Sequence, residues 1–202
     1  LLKGGRKCFA TDGENRYHAI FTQGHPCVIV HPSTLAPALI ALGAVADVQG
    51  PKGPRSIELS KFFQAPKNES EREHVLAPNE LVLAVKIDCQ PGVKNASYEV
   101  RQKQSYDWPL AQAAVAFKYE ANKATDVKIV LGHVAPTPLV AAEAAKLIEG
   151  KEINEQSASE AGKAAAHGAK PLSQNAYKLQ LVAVAVKRAL VTAAGLKKYW
   201  EA

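Results

Sequence analysis

The 202-residue sequence is short of cysteine, aromatics and long apolar runs. Its three cysteines, Cys8, Cys27 and Cys89, are an odd number. That argues against a fully paired disulfide framework and leaves the redox compartment open. Aromatic residues make up only 6% and do not interleave with the basic groups. The net charge is +6, but the lysines and arginines are dispersed, with loose groups at Lys3, Arg6, Lys7 and at Lys187, Arg188, Lys197, Lys198. A nucleic-acid surface needs a denser basic stripe or a stacking platform. What is left is a solvated surface, or a face toward an acidic partner. No apolar stretch reaches the roughly 18 residues of a membrane span, and the helix-like Leu179–Val191 is interrupted by Lys187 and Arg188. There is no opening methionine and no signal-peptide pattern. The abrupt start, Leu1-Leu2-Lys3-Gly4-Gly5, is equally compatible with a fragment and with a processed chain.

Catalytic signatures are missing too. There is no G-x-S-x-G elbow and no phosphate-binding P-loop. No close pair of carboxylates suggests a glycosidase couple. The glycines near Lys3–Arg6 and Gly50–Gly53 lack the strand–glycine–helix setting of a nucleotide fingerprint. The histidines (His18, His25, His31, His74, His133 and His167) show no zinc-protease spacing. Cys8 and Cys27 are separated by eighteen residues, which is no zinc knuckle, and two thiolates do not fill a tetrahedral site. Each cysteine reads as readily as a small buried hydrophobe. A hydrolase or a self-contained catalytic domain finds no support.

What is present is a chain of ordinary globular composition, 47% hydrophobic and 22% charged, long enough for one large or two small domains. Cys27–Val30 reads as a short strand. His31-Pro32-Ser33-Thr34 reads as a turn into a helix carrying Leu35, Ala38, Leu39 and Leu42, with Gly43 as the stop. Val45–Gln49 suits a strand, followed by a proline–glycine turn. Leu81, Leu83, Val85 and Ile87 alternate with polar or small neighbours and give the clearest strand, with one side apolar. Cys89-Gln90-Pro91-Gly92 is the expected boundary. After it come strands at Tyr98–Lys103, Leu110–Tyr119 and around Val127–Leu131, with a turn at Asn122-Lys123. Three helices then follow. One opens at Thr137-Pro138 and runs to Ile148. One is capped by Ser157 with Glu160 and stopped by Gly168. One starts at Ser173 or Asn175 and runs toward Leu196. Three antiparallel strands followed by three helices make an α+β unit, since the sheet needs one face covered.

Several ordered segments then carry a resemblance. They are Leu1–Ala10 with Cys8; Gly13-Glu14-Asn15-Arg16-Tyr17-His18-Ala19-Ile20-Phe21; Cys27; and His31-Pro32-Ser33-Thr34-Leu35. Further along come Arg55-Ser56-Ile57-Glu58-Leu59, Leu76–Val82, Lys103–Ala111, Val130–Pro138 and Pro171–Lys178. No single motif is decisive, but their joint order resembles the flavin-binding subunits of the xanthine dehydrogenase family over nearly the whole chain. It is closest to the branch of bacterial aldehyde oxidoreductases and 4-hydroxybenzoyl-CoA reductases, whose flavin subunit holds an extra 4Fe-4S cluster.

The resemblance implies two units: residues 1–88 as the latter part of a PCMH-type FAD-binding domain, and residues 90–202 as the family's C-terminal domain of sheet and three helices. It implies Cys8 and Cys27 as two of four cluster ligands. It places Ser33, Thr34, Leu81, Val82 and Glu99 around the flavin. Thr34 stands where relatives have aspartate, and Glu99 where several have lysine. A carboxylate cannot stabilise a reduced, anionic flavin as an ammonium does, and an ordinary exposed strand residue is the competing reading of Glu99. The two glycine-rich segments that grip the FAD pyrophosphate in relatives have no counterpart in this sequence. This implies that FAD and the cluster both need a further N-terminal part. The expected function is electron transfer from iron–sulfur clusters to FAD and an acceptor. The expected partners are a large molybdopterin-binding subunit and a small 2Fe-2S subunit, in the cytoplasm or exported to the periplasm with them. A free-standing FAD oxidoreductase and a non-catalytic assembly subunit are the alternatives.

Overall fold

A computed structural model describes residues 8–22, 24, 27–68, 70–103 and 107–201. The basic group Lys3, Arg6, Lys7, the histidine His25 and the Gln104–Tyr106 part of the resemblance lie outside the described residues.

The first half carries a short α1 (Phe9–Asp12), α2 (Leu35–Ala41) and a sheet of β1 (Val45–Gly50), β2 (Gly53–Glu58) and β3 (Leu81–Lys86). The order is β2-β1-β3, antiparallel throughout. The second half has β4 (Val93–Val100), β5 (Ala111–Glu120), β6 (Lys123–Gly132) and β7 (Leu139–Val140), paired in sequence order. It closes with α3 (Ala142–Ile148), α4 (Glu155–Ala165) and α5 (Lys178–Ala193). This is the expected α+β arrangement of a mixed first domain and a three-helix C-terminal domain, with one strand more than the three expected.

The second sheet is covered on both faces. Ala111, Ala113, Val115 and Phe117 of β5 point into a core with Ile148 of α3, Ala158 and Ala161 of α4, and Val182, Val186 and Leu190 of α5. Their alternates Ala114 and Ala116, with Val130 of β6, meet Ile40 and Ala41 of α2 and Ala46, Val48 and Ile57 of β1 and β2. β5 is thus central, as its alanine-rich run suggested, and small side chains let both layers approach. Fully burying Phe117 contributes about 2–3 kcal/mol relative to leaving it in water.

Several boundaries differ from the sequence reading. Cys27–Val30 forms no regular strand; Val28 and His31 instead exchange single backbone bonds with Ala19 and Ala135. Pro138 does not open a helix. A residue preceding proline avoids helical backbone, and Leu139–Val140 pair with β6 before α3 begins. α4 starts earlier: Asn154 is the cap and Ser157 the reciprocating third residue, with both bonds at 2.9 Å. α5 starts later, at Lys178, because the Asn175 side chain is engaged elsewhere. β4 spans 93–100 rather than 98–103. The Asn122 turn is as expected, with Ala121 and Asn122 both at positive φ, the backbone a two-residue hairpin demands. β3 forms where expected, but both of its sides are exposed.

α4 and α5 cross where Gly162 faces α5; a Cβ there would lie 2.3 Å from the Ala183 carbonyl oxygen. Gly162→Ala is expected to destabilise the fold by about 1–3 kcal/mol through overpacking, read as a lowered urea midpoint.

Candidate functional site

The segment that carries the cysteines is anchored to the far end of the chain by polar side chains. Lys178, fully buried at the start of α5, donates to the carbonyl oxygens of Tyr17 at 2.8 Å and His133 at 3.0 Å. Asn175 donates to the carbonyls of His18 and Ala19 and accepts from the Leu172 N–H. Asn15, also buried, donates to Ser173 Oγ and accepts from the Gln174 N–H. Tyr177 Oη donates to the Arg16 carbonyl at 2.7 Å. Ile20 and Phe21 both donate to the Val134 carbonyl. Burial pushes the Lys178 amine down to about 8, so at neutral pH it remains mostly charged and its bonds to carbonyls are of the stronger, charge-assisted kind.

Within this anchored segment the surroundings of Cys8 are set by Thr11 and by nearby backbone. The Cys8 thiol is held below its ordinary value, first by a hydrogen bond from the Thr11 side chain, then, against the effect of burial, by the backbone N–H groups of Ala10, Thr11 and Val28. Val28 directly follows Cys27, so the Cys8 sulfur lies against the Cys27 segment. Donors converging on one sulfur favour its thiolate, the form that binds metal. Among the described residues there is no cluster of three or more histidine, cysteine or acidic side chains able to hold a metal. Cys89 is exposed after β3, away from this segment in sequence.

Beside the cysteine segment opens a cleft of roughly 660 Å³, lined in part by Tyr17, His18, Val30, Pro32, Gln102 and Trp108. Between Val30 and Pro32 of that lining, the His31 ring packs edge-on against Phe63 with ring centroids 4.5 Å apart, and its Nδ1 accepts from the Ser33 N–H.

Of the residues expected around the flavin, Thr34 and Glu99 each neighbour Gln112. Ser33 Oγ accepts from the Ala36 N–H at 3.0 Å and so fixes the start of α2. The Thr34 carbonyl accepts from Gln112 Nε2 at 2.7 Å, and Gln112 sits opposite Glu99 in the β4–β5 ladder. Gln112 is buried, and Gly132 beside it has no room for a side chain: a Cβ there would lie 2.6 Å from Gln112 Oε1. Glu99 is half-buried and ion-paired with Arg101, so its charge is locally neutralised. Leu81 and Val82 start β3, on a turn fixed by Glu80. That carboxylate takes two bonds from Arg55, at 2.7 and 2.8 Å, and one from the Ala77 N–H at 2.7 Å. The Arg55 guanidinium, then the Ala77 N–H, bring the Glu80 carboxyl down to about 2. No described contact joins Leu81 or Val82 to Ser33 or Thr34.

Sequence reasoning missed Gln112 and Lys178 as individual residues and read Asn175 only as a helix start. The usable signal was polar side chains at the edges of alanine- and valine-rich segments, where burial makes an unpartnered amide or amine costly.

His133 is buried, holds a left-handed backbone at φ 62, and neither ring nitrogen has a hydrogen-bond partner among the described residues. Burial first, then the charges of Lys178, His31 and Arg101, push it down to about 4. At His133 the folded chain therefore holds fewer protons than the unfolded chain over this range, and the His133 contribution to stability is complete above pH 6.5 and lost as pH falls toward 4. The loss attributable to His133 by pH 4 is about 3 kcal/mol, read by denaturant titration at a series of pH values. His133→Asn, which tolerates the backbone without titrating, removes that part of the slope.

Comparison with known proteins bears on all of this. Residues 22–88 match the family described as the FAD binding domain in molybdopterin dehydrogenase. Residues 96–193 match the CO dehydrogenase flavoprotein C-terminal domain. The aldehyde oxidoreductase FAD-binding subunit PaoB of Escherichia coli is 32% identical over 179 residues, covering 88% of this chain and 53% of that subunit. The carbon monoxide dehydrogenase medium chain of Afipia carboxidovorans is 28% identical, over 79% of this chain and 55% of its own. The solved CO dehydrogenase from Oligotropha carboxidovorans superposes with a TM-score of 0.69 at 26% identity, over 81% of this chain and 57% of that one. The chain spans about half the length of the curated relatives it matches. With both halves matched in order and the fold shared, the chain belongs to the FAD-binding medium subunits of the xanthine dehydrogenase and molybdopterin hydroxylase family.

Proposed function

We infer that the chain is the electron-transferring flavin portion of a molybdopterin-dependent oxidoreductase, with Cys8 and Cys27 as half of the ligand set of a 4Fe-4S cluster. What supports this reading is the match of residues 22–88 to the FAD binding domain in molybdopterin dehydrogenase, with the Cys8 sulfur beside the Val28 N–H that follows Cys27. Thiolates are the soft ligands iron–sulfur clusters take, and N–H groups aimed at the sulfur tune the potential. Two further cysteines would come from polypeptide outside this sequence.

The division into a flavin-domain portion, 1–88, and a C-terminal domain, 90–202, is supported by the two separate sheets. Ser33 and Thr34, held against β5 by Gln112, would line one side of the flavin, and Leu81 and Val82 would offer an apolar surface to its rings. Glu99, neutralised by Arg101, would not add a net negative charge there. When bound, the cluster and FAD supply one- and two-electron chemistry, so this chain's residues need only fix distance, burial and charge. The cleft beside Tyr17 and Trp108 gives access to this region. The partners implied are a molybdopterin-binding large subunit, a 2Fe-2S small subunit and the remaining part of the FAD-binding subunit. Among the described residues no helix is long and apolar enough to cross a membrane.

The test is the absorption spectrum and metal content of the natively purified assembly. Flavin bands, a broad iron–sulfur shoulder and molybdenum in near-equal amount are expected. Cys8→Ser and Cys27→Ser should each remove the 4Fe-4S contribution while the flavin bands remain, and Cys89→Ser should leave the spectrum unchanged. An unaltered iron content in both variants would sink the ligand assignment.

A further inference from the structure

The cleft beside the cysteine segment combines one kind of wall with one sign of charge. Its aromatic walls are Tyr17 and Trp108, backed by Ile29, Pro32 and Pro109. Both rings are open to solvent: Trp108 is 65% exposed and Tyr17 47%. Tyr17 is nevertheless held in place. Its carbonyl accepts from Lys178 Nζ at 2.8 Å, and its hydroxyl donates to Gln102 Oε1 at 3.3 Å. Pro32 and Pro109 stiffen the backbone of the walls. A ring fixed in advance loses little freedom when a ligand stacks on it.

The chain as a whole carries a net charge of +6, yet no lysine or arginine is among the described residues that line the cleft. The charged side chains there are the carboxylates of Glu73 and Asp107. Neither has an ion-pair partner among the described residues. His18 adds no positive charge at neutral pH, because burial, then the charge of Lys178, holds its imidazole below its ordinary value. The face of an aromatic ring attracts cations. A carboxylate beside it strengthens that attraction and repels anions. Rings alone would take any flat apolar molecule. Rings together with unpaired carboxylates select a flat molecule that is itself positive.

We propose that this cleft is a binding site for a planar organic cation, an N-alkylated aromatic ring lying against Tyr17 and Trp108 with its charge toward Glu73 and Asp107. The volume of roughly 660 Å³ is in the range that holds one small organic ligand. A metal ion is the poorer occupant, since among the described residues no three histidine, cysteine or acidic side chains come together to hold one. The site uses this chain's own residues and goes beyond the flavin reading, whose failure would leave it standing.

The test is isothermal titration calorimetry of the full chain, without flavin, against two flat bicyclic probes of opposite charge, N-methylquinolinium and 2-naphthoate. N-methylquinolinium should bind one-to-one and about tenfold or more tighter than 2-naphthoate, and added salt should narrow the difference. Glu73→Gln combined with Asp107→Asn should remove the preference, and Trp108→Ala should weaken the cation by about tenfold. None of these side chains is buried, so the variants should keep the parent's circular dichroism and melt within about 2 °C of it. Equal affinity for the two probes, a preference that survives the double substitution, a cation affinity indifferent to Trp108→Ala, or no saturable binding of the cation would each overturn the proposal. So would displacement of the cation by FAD, since the cleft would then belong to the flavin.

Discussion

The structure turns on a buried ammonium. Lys178 sits at the first turn of α5 with no exposure to solvent and holds the Tyr17 and His133 carbonyls. A charge in such a place is tolerable only if its donors are used, and removing the acceptors would leave it stranded. Around it, Asn15, Asn175 and Tyr177 repeat the same bargain with neutral groups, each bonding backbone from the opposite end of the chain. The cysteine segment has almost no regular secondary structure of its own, so its shape is set by these contacts. Its two apolar anchors, Ala19 and Ile20, are fully buried, and Ile20 joins the core beneath the helices.

The same logic joins the two halves at β5. The central strand is shared: one side belongs to the helical layer and the other to α2 and the first sheet. Gln112 is the polar exception on the second side. It crosses to the Thr34 carbonyl and also donates to Ser97 Oγ at 3.0 Å. The start of α2 is therefore fixed by the C-terminal domain as well as by its own Ser33. The absence of a side chain at Gly132 leaves the space that Gln112 and Pro37 fill.

Much of this was legible in the sequence, and the parts that were not share a cause. Alternation around Val127–Leu131, the alanine-rich strand, the Asn122 turn and the three helices follow from local periodicity and turn chemistry. The ordered resemblance named the family, the FAD chemistry and the fold. Local rules failed where a side chain is diverted to distant backbone. Asn175 reads as a helix cap but is consumed by His18 and Ala19. Ser157 reads as a cap but serves the cap at Asn154. Cys27–Val30 reads as a strand because it is apolar, yet among the described residues no strand pairs with it. β3 was placed correctly; its alternation gave one apolar side but could not say that both sides would be exposed. Of the candidate site, the resemblance pointed to Ser33, Thr34, Glu99, Cys8 and Cys27 as individual residues. Gln112, which neighbours Thr34 and Glu99, was hidden inside an otherwise apolar strand.

The polar seam between the cysteine segment and α5 spans an unusually long loop of chain, with Tyr17 and Lys178 161 positions apart. Contacts of such separation form late, since the intervening loop must close first. Cys8 and Cys27 precede α5 in the chain, so the donor environment around Cys8 belongs to the completed fold and forms only once α5 has docked.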